Sequence, residues 1–333
     1  MSEYKGIQGF AVQSLNQEPT KSFPGNVANT GQVWYSPNGN FYLQKNLGVN
    51  GTWTSVNSMN TARGDLAGCG TQTSALAFGG LSDPATRVTS TEKYDGTNWT
   101  SVNSMNTARQ SLAGAGTQTS ALAFGGSIPA VSAATEKYDG TNWTSVNSMN
   151  TARSALAGAG TQTATLGFGG FTPPTVTTAT EKYDGTNWTS VNSMNTARRN
   201  LAGAGTQTAA LTFGGASPPT TALNTTEKYD GTNWTSVNSM NTARYQLAGC
   251  GTQTAALAFG GFIPPTSRTA ATEKYDGTNW ISVNLMNTTI NSLAGTGTQT
   301  AALAFGGNTG PTTRVANTEE WDLNVYSNKI TIT

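Results

Sequence analysis

Most of this chain consists of one segment that is repeated six times. A block beginning LAGCGTQTSALAFGG starts at Leu66 and returns, nearly unchanged, at Leu112, Leu156, Leu201, Leu247 and Leu293. A second block, TEKYDGTNWTSVNSMNTAR, lies between the copies. Successive copies start 44 to 46 residues apart. A repeat of this length means that the fold of the chain is an array of one small structural unit.

Each unit divides into four short strands joined by turns. The stretches LAGxG, ALAFGG, TEKYD and NWTSV follow one another in the repeats. An Asp-Gly pair separates the last two stretches, which is a strong signal for a hairpin. Glycines and threonines interrupt the unit every few residues, and this excludes a helix. Four antiparallel strands repeated six times predict an all-β protein, a six-bladed β-propeller.

Side-chain size supports this geometry, because propeller blades are narrow at the axis and wide at the rim. The first strand of each unit carries mainly Leu, Ala and Gly, which suits a crowded axis. The last two strands carry Tyr94 and Trp99 and their repeats, which are large enough to fill the space between diverging blades. The sequence therefore predicts the order of the strands from the axis outward.

Blade boundaries follow from the repeat, while closure of the ring has two alternatives. The predicted blades span about 63–104, 109–148, 153–193, 198–239, 244–285 and 290–333 of a propeller domain covering residues 51–333. Residues 51–59 (GTWTSVNSM) repeat the fourth-strand block and can supply the outer strand of the sixth blade. Alternatively, Tyr326 places the C-terminal tail, residues 323–333, in that position. We favour the N-terminal strand, because its match to the block is nearly complete.

Residues 1–50 do not repeat and form a separate N-terminal segment. Val33–Tyr35 and Phe41–Leu43 flank a Pro-Asn-Gly turn and predict a short β-hairpin. The start of the chain carries Glu3 and Lys5 without an apolar run, so we expect no signal peptide. No stretch approaches the roughly 18 apolar residues of a membrane span.

The two cysteines occupy one structural position. Cys69 and Cys250 stand where the other copies carry Ala or Thr. This pattern predicts buried free thiols that act as small apolar side chains in a reducing compartment, rather than a disulfide between two repeats.

The repeat resembles the kelch motif. A double glycine follows an apolar strand, a Tyr and then a Trp come next, and an Arg precedes the following repeat, as in Gly79-Gly80, Tyr94, Trp99 and Arg109. The resemblance covers residues 51–322 and implies a kelch-type propeller. The last copy departs from it, with Trp321 in place of Tyr and Ile290 in place of Arg.

The opening segment and the very uniform repeats also resemble structural proteins of tailed bacteriophages, especially marine ones. This second resemblance implies a virion protein, made in the host cytoplasm. It also implies that residues 1–50 anchor the propeller to other virion proteins.

Composition and motifs argue against an enzyme. The chain has no histidine, which excludes Ser-His-Asp and Cys-His catalysis and the copper sites of galactose-oxidase-like propellers. The repeated Glu and Asp of TEKYD account for most acidic residues and recur once per blade, as structural positions do. The spacing of Asp95, Gly96 and Trp99 does not fit a sialidase Asp-box. We therefore expect no catalytic residues, no cofactor and no metal.

Net charge limits the classes of partner. The balance of 18 basic and 17 acidic residues gives a net charge of +1, too little for a nucleic-acid binder. One arginine per blade recurs before the first strand in five copies: Arg63, Arg109, Arg153, Arg198 and Arg244. Such a set can line the mouth of the channel as a cationic ring, or pair with carboxylates and backbone carbonyls between blades. We favour pairing, because the net charge is near zero.

Nearly all the variation among the six copies lies in two connections. One is the loop after the glycine pair, and the other is the residue pair after the arginine position. In an up-and-down blade both connections lie at the same end of the sheet, opposite the nearly constant GTQT and DGTN turns. Exposed loops can drift freely, yet those turns are also expected to be exposed and do not vary.

We therefore predict a binding face at the variable end. Its predicted residues are Asp65, Arg87, Gln110, Phe171, Arg199, Asn200, Tyr245, Gln246, Phe262, Arg268, Asn291 and Arg314. Aromatic and arginine side chains on a rigid frame suit recognition of a host-surface glycan or protein. We therefore predict that the chain is a tail-associated receptor-binding protein. We expect no insertion into a membrane. The alternative is a decoration or adaptor subunit of the tail, neck or capsid with no ligand of its own.

Overall fold

The propeller and a small sheet make up the structure of the chain. The computed structural model describes residues 50–265 and 267–323 in full, and elsewhere the backbone of a few short strands. Residues 52–322 form six antiparallel sheets of four strands, and each innermost strand contacts those of both neighbouring blades. The described residues contain no helix, so none is long and apolar enough to cross a membrane. The predicted all-β, six-bladed propeller is confirmed.

Each blade begins at the axis and ends at the rim. In that order, the strands of blade 1 are Ala67–Gly70, Ala75–Phe78, Thr91–Tyr94 and Trp99–Val102. Those of blade 2 are Ala113–Thr117, Ser120–Phe124, Thr135–Tyr138 and Trp143–Val146. Those of blade 3 are Ala157–Gly160, Thr165–Phe168, Thr180–Tyr183 and Trp188–Val191.

The remaining blades repeat this order. The strands of blade 4 are Ala202–Gly205, Ala210–Phe213, Thr226–Tyr229 and Trp234–Val237. Those of blade 5 are Ala248–Gly251, Ala256–Phe259, Thr272–Tyr275 and Trp280–Val283. Those of blade 6 are Ala294–Gly297, Ala301–Phe305, Thr318–Asp322 and, from the other end of the propeller sequence, Thr52–Val56.

The N-terminal strand closes the ring. Thr52–Val56 pairs antiparallel with Thr318–Asp322, with Trp53 opposite Trp321. This is the first of the two closure alternatives that the sequence left open. Tyr326, on which the other alternative depended, lies outside the described residues.

Neighbouring blades are joined by an aromatic contact that recurs six times. The phenylalanine of each second strand lies with its ring centroid 4.9 to 5.1 Å from the tryptophan of the next blade. The same ring covers a glycine of the next inner strand: a Cβ on Gly68 would come within 2.3 Å of Phe305. Each tryptophan also donates from Nε1 to a threonine hydroxyl of the preceding blade, as Trp143 does to Thr91 at 3.0 Å. Small inner residues and large outer ones are thus complementary across every blade interface.

Four of the loops after the glycine pairs fold into small hairpins at one end of the propeller. Their strands are Leu81–Ser82 with Thr86–Arg87, Phe171–Thr172 with Thr175–Val176, Ala216–Ser217 with Thr221–Ala222, and Phe262–Ile263 with Ser267–Arg268. The corresponding loops of blades 2 and 6 are closed by single bridges, Ser127 to Val131 and Asn308 to Arg314.

The second unit combines residues 1–51 with residues 323–333. Its described backbone is a four-stranded sheet with the order Gln13–Ser14, Val33–Tyr35, Phe41–Leu43 and Asn328–Ile330. Val33–Tyr35 pairs antiparallel with Phe41–Leu43, as the hairpin prediction required. The C-terminal strand pairs with Phe41–Leu43.

Both cysteines are free and buried, as predicted. Burial raises the pKa of the Cys69 and Cys250 thiols far above the ordinary value, so neither forms a thiolate in the folded protein. We expect no reaction with a thiol reagent such as Ellman's reagent at pH 8 under native conditions, and two reacting thiols after unfolding in urea. Rapid modification of the folded protein would contradict the burial of this position.

Candidate binding face

The repeated arginines are buried inside the blades. Arg63, Arg109, Arg153, Arg198 and Arg244 are fully buried, and each forms an ion pair of 2.7 to 3.3 Å with the glutamate of a TEKYD strand. Each guanidinium also donates to at least two backbone carbonyls, as Arg153 Nη1 does to Gly169 at 3.0 Å and Ala179 at 2.6 Å. Pairing, not a cationic channel ring, is therefore the outcome. The expectation that the pairs join neighbouring blades was wrong, because the partners belong to the blade that the arginine leads into.

The same glutamates fix the connectors between blades. Glu136 Oε1 accepts from Arg109, while its Oε2 accepts the backbone N–H of Asn106 at 2.7 Å. Asn106 in turn donates from Nδ2 to the carbonyl of Trp143 at 3.1 Å. The repeated carboxylates are therefore structural groups, as their recurrence indicated.

Blade 6 is the exception in this pattern. Ile290 stands at the arginine position, and Glu319, only 2% exposed, accepts from the backbone of Asn287 at 2.8 Å through Oε2. Its Oε1 has no hydrogen-bond partner among the described residues. The sequence of this blade departs most from the repeat. The consequence in the structure is a buried carboxylate without an arginine partner.

The second residue after the arginine position forms a closed ring of backbone hydrogen bonds around the axis. Each N–H donates to the carbonyl of the equivalent residue in the preceding blade, at 2.8 to 2.9 Å. All six residues have φ between 52° and 54°, in the left-handed region. We call this set the axial ring; its members are Asp65, Ser111, Ala155, Asn200, Gln246 and Ser292.

The residue just before each axial-ring member pairs with the loop after the glycine pair. Tyr245 and Phe262, for example, exchange backbone hydrogen bonds of 3.1 and 2.7 Å. We call these six residues the bridge positions; they are Gly64, Gln110, Ser154, Arg199, Tyr245 and Asn291. Both variable connections of each blade are thus brought together at one end, which we call the variable face.

Aromatic side chains on this face are half-buried and paired. The rings of Tyr245 and Phe262 lie 5.4 Å apart between centroids. The guanidinium of Arg199, on blade 4, lies 5.4 Å from the centroid of Phe171, on blade 3. These four predicted residues therefore belong to the adjacent blades 3, 4 and 5.

Asn291, Arg268 and Gln246 form a hydrogen-bonded cluster. Arg268 donates from Nε to Asn291 Oδ1 at 2.9 Å, and Asn291 donates from Nδ2 to Gln246 Oε1 at 2.8 Å. Asn291 is only 5% exposed. Although the sequence placed Asn291 in the binding face, the structure gives it a positioning role toward Arg268.

The other predicted residues lie on blades 1, 2, 4 and 6. Arg314, on blade 6, forms an ion pair with Asp83, on blade 1. Asp65 is half-buried in the axial ring, and burial raises the pKa of its carboxyl against a smaller opposing effect of the Ser292 and Arg314 side chains. Arg87 and Gln110 are half-buried. Asn200 belongs to the axial ring and is half-buried.

Constancy of the opposite end, the constant face, has a structural cause. The glutamine of each GTQT turn donates to one or two backbone carbonyls of the preceding blade, as Gln118 does to Ala75 at 3.1 Å and Tyr94 at 2.5 Å. The aspartate of each DGTN turn accepts two backbone N–H groups through Oδ1, as Asp139 does from Thr141 and Asn142 at 2.8 and 2.7 Å. These hydrogen bonds explain why the turns have nearly the same sequence in every blade although they are exposed.

The channel along the axis is narrow. Three cavities follow one another from the axial ring inward, of about 90, 110 and 120 Å³. The two deeper ones are lined by Leu, Ala, Gly, Cys and Thr, without a charged side chain. A ligand of drug size needs a pocket of roughly 300 Å³ or more, so none of these three axial cavities suits one.

Sequence reasoning missed several residues of this face. Asp83 is the ion-pair partner of Arg314, and Ser111, Ala155 and Ser292 complete the axial ring. The constant number of residues between the arginine position and the inner strand was the only signal for the ring. For Asp83 the sequence carried no signal, because its partner lies 231 residues away.

Among the residues that the structure describes, no three His, Cys, Asp or Glu side chains cluster as metal ligands do. A comparison of the chain with models of known protein families found no match. A comparison with curated proteins found no relative.

Proposed function

We propose that this chain is a kelch-type propeller from the virion of a tailed bacteriophage. In this proposal it is not an enzyme. It is made in the host cytoplasm and binds a glycan or protein of the host surface through the variable face. Residues 1–50 attach it to other virion proteins; the side chains of that segment lie outside the described residues.

The observation that carries the proposal is a constant backbone with varied side chains. The six bridge positions have equivalent backbone pairing, yet they carry Gly, Gln, Ser, Arg, Tyr and Asn, and Gln110, Arg199 and Tyr245 among them are partly exposed. A rigid frame that displays different chemistry at equivalent points is how loops on a scaffold create a recognition surface.

The axial ring adds support. At a φ near +53° the backbone favours Gly, Asn or Asp, but four of the six positions carry Ser, Ala or Gln. Backbone preference alone would have led to one common residue. Requirements on the side chains themselves account for this variety.

Replacing Tyr245, Arg199 and Phe262 together with alanine should abolish attachment of the purified protein to host cells. The temperature of unfolding should stay close to that of the wild type, because the three side chains are half-exposed and take no part in the phenylalanine–tryptophan contacts that join the blades. The matched control replaces three exposed threonines of the constant face: Thr141, Thr232 and Thr278. Undiminished attachment of the triple variant, with attachment of the control intact, would overturn the proposal.

One observation favours the alternative of a decoration or adaptor subunit. Ile281 and Leu285 are 43% and 64% exposed on the rim of blade 5, where blades 1 to 4 carry Thr and Ser. Exposed apolar residues suit packing against another protein. Locating the chain on particles by electron microscopy separates the two: a tail tip supports receptor binding, and a neck or capsid lattice supports the structural role.

A further inference from the structure

Arginines and aspartates are divided unevenly between the two ends of the propeller. Among the described residues, the loops, bridge positions and axial ring of the variable face carry four arginines and two aspartates: Arg87, Arg199, Arg268, Arg314, Asp65 and Asp83. The constant face carries an aspartate in the turn of every DGTN repeat. Hydrogen bonds from backbone N–H groups lower the pKa of these carboxyls, for example that of Asp139, so they remain charged at neutral pH.

The two acids of the variable face are both close to one arginine. Asp83 is ion-paired with Arg314, and the charge of Arg314 also acts on Asp65. Arg87, Arg199 and Arg268 form no ion pair with the residues that the structure describes. The variable face therefore has an excess of cationic groups that the protein itself does not neutralise.

Two of these three arginines have neighbours that restrict them, an aromatic ring for Arg199 and a side-chain amide for Arg268. Arg199 lies over Phe171, and its neighbour Asn200 is hydrogen bonded to Gln246, which directly follows Tyr245. Arg268 is oriented by Asn291 through Nε, so the other two nitrogens of its guanidinium are directed away from that bond. On blade 5, Arg268 is paired through its backbone with Phe262, the ring partner of Tyr245.

Arginine and aromatic side chains together match one ligand chemistry. A planar guanidinium binds carboxylate, phosphate or sulfate groups through two parallel hydrogen bonds. The partly exposed rings of Tyr245, Phe262 and Phe171 offer apolar faces of the kind on which a sugar ring packs.

We infer that the variable face binds an acidic glycan, with its anionic groups on Arg199 and Arg268 and its sugar rings on the neighbouring aromatic side chains. This inference rests on the proposed function, since it names the ligand class of the same face. It predicts that binding weakens as salt concentration rises, because the charged contacts are at the protein surface.

Binding of the full chain to immobilised polygalacturonate, a carboxylated polysaccharide, tests the inference. Neutral dextran and poly-L-glutamate are compared on the same surface. We expect binding to polygalacturonate alone, and a loss of about tenfold or more for Arg199→Gln and for Arg268→Gln, the scale of a lost charge-assisted hydrogen bond. The matched control is Lys182→Gln, which removes one positive charge from an exposed position on the rim of blade 3.

Each other outcome overturns the inference. If dextran is bound as tightly as polygalacturonate, the protein does not recognise the charge of the ligand. If poly-L-glutamate is bound as tightly as polygalacturonate, the protein does not recognise the sugar. Equal losses for Lys182→Gln and the arginine variants would indicate attraction by net charge alone. If the protein attaches to host cells through Tyr245, Arg199 and Phe262 but binds no polygalacturonate, the proposed function stands and the acidic glycan fails.

Discussion

Replacing Arg153 with methionine should lower the free energy of unfolding by about 3–5 kcal/mol, the cost of removing one partner of a buried ion pair. The arginine is fully buried, 3.0 Å from Glu181. Its loss leaves the Glu181 carboxylate without its cation and takes a donor from the carbonyls of Gly169 and Ala179. Urea unfolding followed by tryptophan fluorescence measures the effect, because the indoles lie between the blades.

Blade 6 supplies the matched control within the same chain. Glu319→Gln removes a carboxylate that has no arginine partner and whose Oε1 is unpaired among the described residues, so stability should be unchanged or higher. Glu181→Gln, at the equivalent position of blade 3, should destabilise. The double variant Arg153→Met with Glu181→Gln should recover part of the loss. A cost below about 1 kcal/mol for Arg153→Met, near the upper limit for exposed pairs, would refute the structural role of the pair.

A chain shortened at the N-terminus so that it begins at residue 60 should have a much less stable propeller. A chain that begins at residue 51 should not. The difference is the closing strand. Trp53 is 7% exposed, donates from Nε1 to Thr272 at 3.0 Å, and lies 5.0 Å from Phe259 between ring centroids. Loss of one buried tryptophan costs about 3–5 kcal/mol by itself, and the truncation also leaves Thr318–Asp322 as an open edge.

Thermal unfolding by circular dichroism compares the two truncated chains. The chain that begins at residue 51 is the control for removal of the N-terminal segment. We expect a lower midpoint and a broader transition only for the chain that begins at residue 60. Equal midpoints would show that another segment replaces the strand and that closure does not depend on Thr52–Val56.

Local signals in the sequence predicted the repeating elements well. Asp139 and Gly140 marked the hairpin turn between the last two strands of blade 2, and the structure has Tyr138 paired with Trp143 there. The small residues of the inner strands and the large ones of the outer strands marked the taper of the blades. These features depend on residues that are near one another in the chain and recur six times, so each copy reinforces the prediction.

The roles of single polar residues were less accessible. Arg109 and Glu136 are 27 residues apart in sequence, and nothing in either block shows that the two side chains meet. Asn291 looked like an exposed variable residue, but its side chain is buried against Arg268 and Gln246. The partner of a polar side chain is set by how the strands stack, and a repeat pattern does not contain that distance.

By itself, the sequence determined the number of blades, the order of their strands and the end of the propeller where variation collects, because periodicity and turn chemistry are local properties. Only the tertiary structure decided which strand closes the ring, where the arginines lie and that a ring of backbone hydrogen bonds surrounds the axis. Trp53 and Thr272, which help to close the ring, are 219 residues apart. Such contacts form only when the two ends of the propeller sequence meet, so the repeated block could favour one closing strand but could not decide between the two alternatives.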